Sequence, residues 1–250
     1  MATQALQSAI YELADALDAN ERYQQNGWTD GLPIVPPTEG RVRECLDAAG
    51  LAPADIIGME SVRQCPISAE KAAINAVMAG CLPTYMPVVV SVLRAMCVAE
   101  YNLHGSTAST GGSAPFIVVN GPMRTALGMN ATHGVLGNGN RANATIGRAI
   151  RLVLINVLGC IPGQIDRATL GHPGKFTFCL AEDEEDSPWI PLAQERGVPA
   201  GASGVTVMAA QAPRQVMNEW THAPEEIAET VAAVALTRSS RRCARPTTCS

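Results

Sequence analysis

The sequence has few aromatic and few charged residues. Phe, Tyr and Trp together make up 4% of the 250 residues, and Asp, Glu, Lys and Arg make up 16%. The core therefore has to be built from Ala, Val, Ile, Leu and Met, a composition that favours helices packed against strands. The 47% hydrophobic content excludes intrinsic disorder for most of the chain. We predict an α/β fold with helices packed on a mostly buried central sheet.

The sequence also lacks an excess of basic residues and any apolar run of membrane-spanning length. Its 18 Lys and Arg residues face 23 Asp and Glu residues, which gives a net charge of -5. Because the body of the chain has no basic stripe, we expect no nucleic-acid partner. The most apolar stretches are interrupted by Gly, Pro, Arg or Asn, so we expect no membrane contact. The N-terminal residues lack the pattern of a secretory signal, and we expect a cytoplasmic protein.

No Cys-x-x-Cys pair occurs among the eight cysteines, which argues against a thioredoxin-type motif and a zinc knuckle. In a cytoplasmic protein these cysteines are expected to be thiols, and most of them to be buried packing residues. A Walker A loop and a dinucleotide-binding fingerprint are absent as well. The sequence therefore leaves the cofactor unknown.

The domain organisation follows from hydrophobic periodicity and from the positions of Gly and Pro. Leu6, Ile10, Leu13 and Leu17 recur at helical spacing, which predicts an N-terminal capping helix within residues 1–25. We predict a single α/β domain over residues 26–236 and a disordered tail over residues 237–250. The predicted helices cover residues 40–50, 68–79, 87–99 and 141–158 and begin again at Pro224; the predicted strands cover residues 56–62, 116–120, 175–181 and 204–209.

Two segments of the chain repeat one pattern. Ile74-Asn75 leads into Gly80-Cys81-Leu82-Pro83, and Ile155-Asn156 leads into Gly159-Cys160-Ile161-Pro162. The repetition indicates an internal duplication with a pseudo-twofold axis, which would place Cys81 and Cys160, with His104 and His172, near that axis. Chance is the alternative, since short matches of Gly and Pro are common.

A Gly- and Asn-rich loop runs into the longest predicted helix over residues 134–148. Free backbone amides at such a helix start, with an arginine nearby, favour binding of a carboxylate or phosphate. The alternative is an ordinary Asn-capped helix preceded by turn glycines. The candidate substrate-binding residues of this segment are Asn140, Arg141, Asn143, Thr145 and Arg148.

The Gly- and Pro-rich residues 26–39 predict an ordered, non-helical loop that positions two further candidate binding residues, Trp28 and Asp30. Such a rigid loop is suited to lining a site.

Five residues are candidates for catalysis. His172 and Lys175 precede a predicted strand and Glu182 follows it, an arrangement suited to a base, an acid or metal ligands; the alternative is a solvated acidic turn. His104 lies in a hydroxyl-rich loop over residues 102–114, for which a flexible surface connection is the alternative. Cys81 follows a helix C-terminus, where the helix dipole disfavours a thiolate unless a neighbouring Lys, Arg or His stabilises it.

Four strings occur in an order that resembles an uncharacterised bacterial family, the UGSC-type (seleno)proteins. They lie over residues 28–38, 75–83, 141–148 and 171–175, and the likeness extends over roughly residues 26–210. The resemblance implies thiol or selenol redox chemistry. The family is named after a Cys-Gly-Ser-Cys motif, which this chain does not contain. The resemblance therefore covers only the portion of the family's proteins that lacks this motif. Either a separate thiol-bearing subunit or this chain's own site then supplies the chemistry.

Three functions are consistent with these patterns. The first is an enzyme domain that binds a small anionic substrate and performs thiol-dependent redox or lyase chemistry with the five catalytic candidates. The second is a non-catalytic binding or scaffold subunit that completes the site of a thiol-bearing partner. The third is a metal-dependent hydrolase or hydratase, although no metal-ligand spacing predicts a metal site. Met- and Ala-rich helices are also compatible with a homo-oligomer.

Overall fold

The structure is a computed structural model that describes residues 4–236. Contacts between Cα atoms divide the chain into two units, of which the first ends at Ala212 and the second begins at Pro213. This boundary lies within the residues 26–236 that the sequence assigned to a single domain. The predicted tail over residues 237–250 lies outside the described part of the chain.

The first unit has a mixed α/β fold, which confirms the predicted fold class. Its helices are α1 (Ala16–Gln25), α2 (Glu39–Ala49), α3 (Ala69–Ala79), α4 (Met86–Met96), α5 (Leu103–Thr107), α6 (Pro122–Ala126), α7 (Arg141–Asn156) and α8 (Leu192–Glu195). Its strands are β1 (Ile56–Glu60), β2 (Cys65–Ser68), β3 (Ala114–Asn120), β4 (Cys179–Ala181) and β5 (Gly204–Ala210). In the second unit, helix α9 (Pro224–Leu236) begins at the predicted proline.

The strands form two small sheets. In the larger sheet β3 lies between β4 and β5, parallel to β4 and antiparallel to β5. Ile117 and Val119 of β3 are buried, as the apolar run of this strand predicts. β1 and β2 form a separate antiparallel hairpin. The larger sheet thus has three strands, of which β4 has only three residues and β5 is partly exposed.

Helices α3 and α7 form the centre of the helical layer. Ser68 caps α3 by accepting a hydrogen bond from the Lys71 amide, and α3 ends at Gly80, whose φ of 92° is in the left-handed region. Asn140 caps α7 in the same way by accepting from the Asn143 amide. Four of the Ala residues in α3 are fully buried, and their small side chains permit close packing of the two helices.

Three predicted elements differ from the structure. The N-terminal helix covers only Ala16–Gln25, because Asp15 caps it and the preceding residues hydrogen-bond to the Glu70 carboxylate instead. The strand predicted over residues 175–181 is wrong in its first half: Pro173–Lys175 form a 3₁₀ turn, in which the His172 ring accepts a hydrogen bond from the Gly174 amide. The loop predicted over residues 102–114 contains helix α5, which Asn102 caps.

Within the described residues, no single helix has the length and apolar composition needed to cross a membrane. One pair of helical segments bent by 77°, Pro83–Met96 with Ala99–Thr107, meets those criteria only when its two parts are taken together.

Candidate functional site

A cleft of about 680 Å³ lies between the N-terminal residues, α1, α2, α3 and the end of α7. We call it the aromatic cleft and define it by the following lining residues: Tyr11, Tyr23, Trp28, Lys71, Asn75 and Asn156, with apolar side chains between them. Its volume is within the range typical of pockets that bury a small organic molecule.

Three aromatic side chains form one end of the cleft. The Trp28 ring lies 5.7 Å from the Tyr11 ring and 5.4 Å from the Tyr23 ring, measured between centroids. The Trp28 and Tyr23 planes are nearly perpendicular, at 83°, which is a favourable edge-to-face geometry. A chain with only 4% aromatic residues thus places three of them at one cleft.

An ion pair fixes the loop that contains Trp28. Arg148 of α7 donates to both carboxylate oxygens of Asp30, at 2.8 Å each, and also to the Pro33 carbonyl at 2.8 Å. Burial raises the pKa of Asp30, but its hydrogen bonds and ion pair with Arg148 lower it more, so the net shift is downward. The Asp30 carboxylate is therefore ionised at neutral pH, and its ion pair with Arg148 holds the loop against α7.

Two asparagines lie at the polar end of the cleft. Asn156 donates one amide hydrogen to the Trp28 carbonyl at 2.9 Å and the other to Asn75 Oδ1 at 2.7 Å. Asn75 is 2% exposed and donates to the Lys71 carbonyl. Both amide hydrogens of Asn156 are therefore used, while its Oδ1 accepts no hydrogen bond from any residue between 4 and 236.

The N-terminal residues close one side of the cleft. The buried Glu70 carboxylate accepts hydrogen bonds from the backbone amides of Gln7 and Ser8 and from the Ser8 hydroxyl. We call residues 6–11 the N-terminal strap. Lys71 donates to the Ser8 hydroxyl at 3.1 Å and has no ion-pair partner within 4 Å among the described residues. The Lys71 ammonium group is thus linked to the Glu70 carboxylate through the Ser8 hydroxyl and forms no direct ion pair with a described residue.

The predicted anion-binding residues make contacts within the protein. Asn140 caps α7, Arg141 donates twice to the Gly80 carbonyl, and the Thr145 hydroxyl donates to the Arg141 carbonyl. The Asn143 side chain is buried between the Asn130 backbone and the Val135 carbonyl. These contacts correspond to the alternative of an Asn-capped helix, and an anion site at this helix start stays a prediction.

Among the described residues, no hydrogen bond or ion pair joins any two of the five catalytic candidates. Cys81 is buried, its thiol lies 3.3 Å from the Thr145 carbonyl, and burial raises its pKa to about 12. Such a thiol is almost entirely protonated at neutral pH.

The other four candidates lie in separate contacts. His104 Nδ1 is 3.7 Å from the buried Glu60 carboxylate, and Lys175 forms a buried ion pair with Asp166. His172 Nε2 is buried without a hydrogen-bond partner in the described chain. Glu182 accepts from the Asn120 side chain at 2.6 Å. The convergence of these groups on one site stays a prediction.

The two repeated segments meet at their asparagines, because Asn75 and Asn156 hydrogen-bond directly. Their cysteines have different surroundings: Cys81 lies against α7, whereas Cys160 lies 3.8 Å from the Arg63 guanidinium. A duplication stays a prediction, since the contact joins the two segments without giving them equivalent environments.

Sequence reasoning missed a second cavity, of about 300 Å³, at the carboxyl ends of β3 and β4. We call it the strand-end cavity and define it by these lining residues: Asn120, Gly121, Arg124, Glu184, Glu185 and Ala202. The sequence signals are Asn120-Gly121-Pro122 at the end of a buried strand and the acidic run after Ala181, for which a solvated turn was the alternative interpretation.

Across the described residues, no group of three or more His, Cys, Asp or Glu side chains is arranged to hold a metal ion. No protein-family model, curated protein or solved structure matches the chain. The resemblance to the UGSC-type proteins therefore stays a prediction, and the function has to be argued from the site itself.

Proposed function

We propose that this chain is a small-molecule-binding domain whose ligand has a flat apolar part and an anionic group. The observation that supports this proposal most is the aromatic cleft, which combines adequate volume, three aromatic side chains and a lysine that forms no direct ion pair within the described residues. The proposed ligand is a small anionic molecule, as expected from the sequence, but its proposed site is the aromatic cleft and not the start of α7.

The apolar part of the ligand would lie against the accessible faces of Tyr11 and Trp28, whose rings already contact each other. Tyr11 is 47% exposed, so a ligand that covers its ring removes apolar surface from water. Offset or edge-to-face contact with these rings adds about 0.5–1.5 kcal/mol per aromatic pair. An aromatic or similarly planar ligand is the class that gains most from such walls.

The anionic group would lie near Lys71 at the rim of the cleft. The other charged side chains that line the cleft already have partners: Asp15 caps α1, and Glu39 pairs with Arg43. A carboxylate or sulfonate would give Lys71 a direct ion pair in addition to its link to Glu70 through Ser8. Asn156 Oδ1 would accept from a donor in the middle of the ligand, because both hydrogens of that amide are already used.

The six described thiols support binding rather than thiol catalysis at the aromatic cleft. None of the six described cysteines lines the aromatic cleft. Burial raises the pKa of Cys45 to about 11 and that of Cys81 to about 12. Redox or lyase chemistry performed by Cys81 is therefore less well supported than the second hypothesis from the sequence. That hypothesis is a binding subunit that completes the site of a thiol-bearing partner.

Titration with 8-anilino-1-naphthalenesulfonate, an anionic fluorophore with a planar naphthalene ring system, tests the proposal. We expect saturable binding at one site and displacement of the fluorophore by 3-phenylpropionate. Tyr11→Ala should weaken binding by about fivefold to tenfold, which corresponds to one lost aromatic contact. Lys71→Met should weaken it by about threefold and should reduce its dependence on salt.

Trp189→Ala is the matched control, because Trp189 is 79% exposed and does not line the cleft. Its binding curve should equal that of the wild type. Equal losses in Tyr11→Ala and Trp189→Ala would show that the fluorophore binds exposed apolar surface in general, and the proposal would then fail.

A further inference from the structure

The strand-end cavity lies where the parallel strands β3 and β4 end, and it shares no lining residue with the aromatic cleft. Asn120 is the last residue of β3, while Glu184 and Glu185 follow β4 within a few residues. In open α/β sheets, ligands usually bind outside the carboxyl ends of the strands. This position does not by itself identify a ligand. The charged and polar groups of the cavity limit the classes of ligand that it can bind.

The cavity has a negative wall organised around one arginine. Arg124 donates to both Glu185 oxygens, at 2.8 and 2.6 Å, and lies 3.4 Å from Glu184. Glu184 also accepts from the Gly121 amide at 2.7 Å and from the Asn120 side chain at 2.8 Å. Burial raises the pKa of Glu184, but these hydrogen bonds and Arg124 lower it more. Two ionised carboxylates thus outnumber one guanidinium.

Two buried polar atoms of the cavity residues have no partner. Asn120 is 1% exposed and its Oδ1 accepts no hydrogen bond; Arg124 is 8% exposed and its Nε–H donates to no described residue. An unsatisfied buried polar group costs about 1–3 kcal/mol, so a fold seldom leaves two of them at one cavity. One of these atoms is an acceptor and the other is a donor.

We propose that the strand-end cavity binds a free α-amino acid. Its ammonium group would donate to Asn120 Oδ1 and Glu184, and its carboxylate would accept from Arg124 Nε. A zwitterion satisfies both orphaned atoms and places its positive end at the negative wall. A simple amine would leave Arg124 Nε without a partner, and a simple carboxylate would meet two ionised carboxylates.

Isothermal titration calorimetry of the full chain tests the proposal with three probes: L-alanine, methylamine and acetate. L-alanine should bind with a dissociation constant at least about tenfold below those of methylamine and acetate, because neither half satisfies both atoms. If methylamine binds as tightly as L-alanine, the site recognises only a cation, and the proposal is overturned. If no probe binds, water satisfies both atoms, and the proposal is overturned as well.

Ala202→Phe tests the location without altering the polar groups. Ala202 is exposed and lines the cavity, so a phenyl ring there should obstruct it and abolish the L-alanine signal. Ala200→Phe is the matched control, since Ala200 is equally exposed but does not line the cavity. L-alanine binding that survives Ala202→Phe would place the ligand elsewhere.

Fluorophore binding at the aromatic cleft should be unchanged in both variants, which separates this proposal from the proposed function.

Discussion

The Asp30–Arg148 pair shows how one contact positions the cleft. The Asp30 side chain is 3% exposed, and Arg148 is its only ion-pair partner in the described part of the chain. Arg148→Met leaves a buried carboxylate unpaired and should lower the free energy of unfolding by about 3–5 kcal/mol. Arg43→Met, which removes an exposed helical pair with Glu39, should change it by less than about 0.5 kcal/mol. Urea unfolding measures both, and equal losses would contradict the role of Asp30.

Cys81 provides a second prediction, about reactivity. With its pKa raised to about 12, Cys81 should react with iodoacetamide at pH 8 about a thousandfold more slowly than a thiol with the ordinary pKa of 9.0. Peptide mass spectrometry of native protein should find Cys65, which is half-buried, labelled first among the described cysteines. A Cys243→Ser, Cys249→Ser background removes the two cysteines outside the described residues. Rapid labelling of native Cys81 would restore the thiol hypothesis.

The sequence located some residues of the candidate sites but not their contacts. Trp28 could be predicted, because the surrounding prolines and glycines indicate an ordered loop. The ion pair of Arg148 could not be predicted, since its partner Asp30 lies 118 residues away in sequence. Arg124 was missed for the same reason: its partners lie about 60 residues further along the chain.

Helix α7 packs so closely on the residues before β4 that position 147 requires glycine. A Cβ on Gly147 would overlap the Thr177 hydroxyl and lie 2.9 Å from the Phe178 backbone nitrogen. Gly147→Ala should therefore destabilise the fold by about 1–3 kcal/mol, although alanine favours helix. Gly40→Ala in α2 meets no atom within 4 Å and should stabilise it by about 0.5 kcal/mol. Urea midpoints that shift in the same direction for both variants would contradict this packing.

The N-terminal strap should detach in acid. Burial raises the pKa of Glu70, but hydrogen bonds from Gln7 and Ser8 lower it more, so its net pKa lies below the ordinary value of 4.5. A lowered pKa gives stability that is present above pH 4.5 and is lost as the pH falls through the folded-state pKa. Hydrogen-exchange protection of the Gln7 and Ser8 amides should decrease in that range, while α2 amides keep theirs. Constant protection down to pH 2 would exclude this anchor.

Elements with clear end signals were predictable. Gly50 ends α2 and Gly80 ends α3 at left-handed φ values, as their positions in the sequence indicated. The N-terminal helix was predicted too long, because its periodicity continues into residues that bind Glu70, a contact with no local signal. Strand β2 was not predicted, because it has only four residues and depends on pairing with β1.

The first unit as a whole presents two separate cavities of different chemistry, one aromatic and one acidic. The described thiols line neither of them. This separation is consistent with the proposed binding role. The proposed function requires that a ligand with a planar ring system and an anionic group binds against Trp28.

Nuclear magnetic resonance of the three tryptophan indole N–H groups tests that claim most directly. Trp189→Phe and Trp220→Phe assign the signals, and 8-anilino-1-naphthalenesulfonate is the titrant. The account predicts a saturable shift of the Trp28 indole signal, while the Trp189 signal stays in place. A Trp28 signal that does not move, or moves only in step with that of the exposed Trp189, would contradict it.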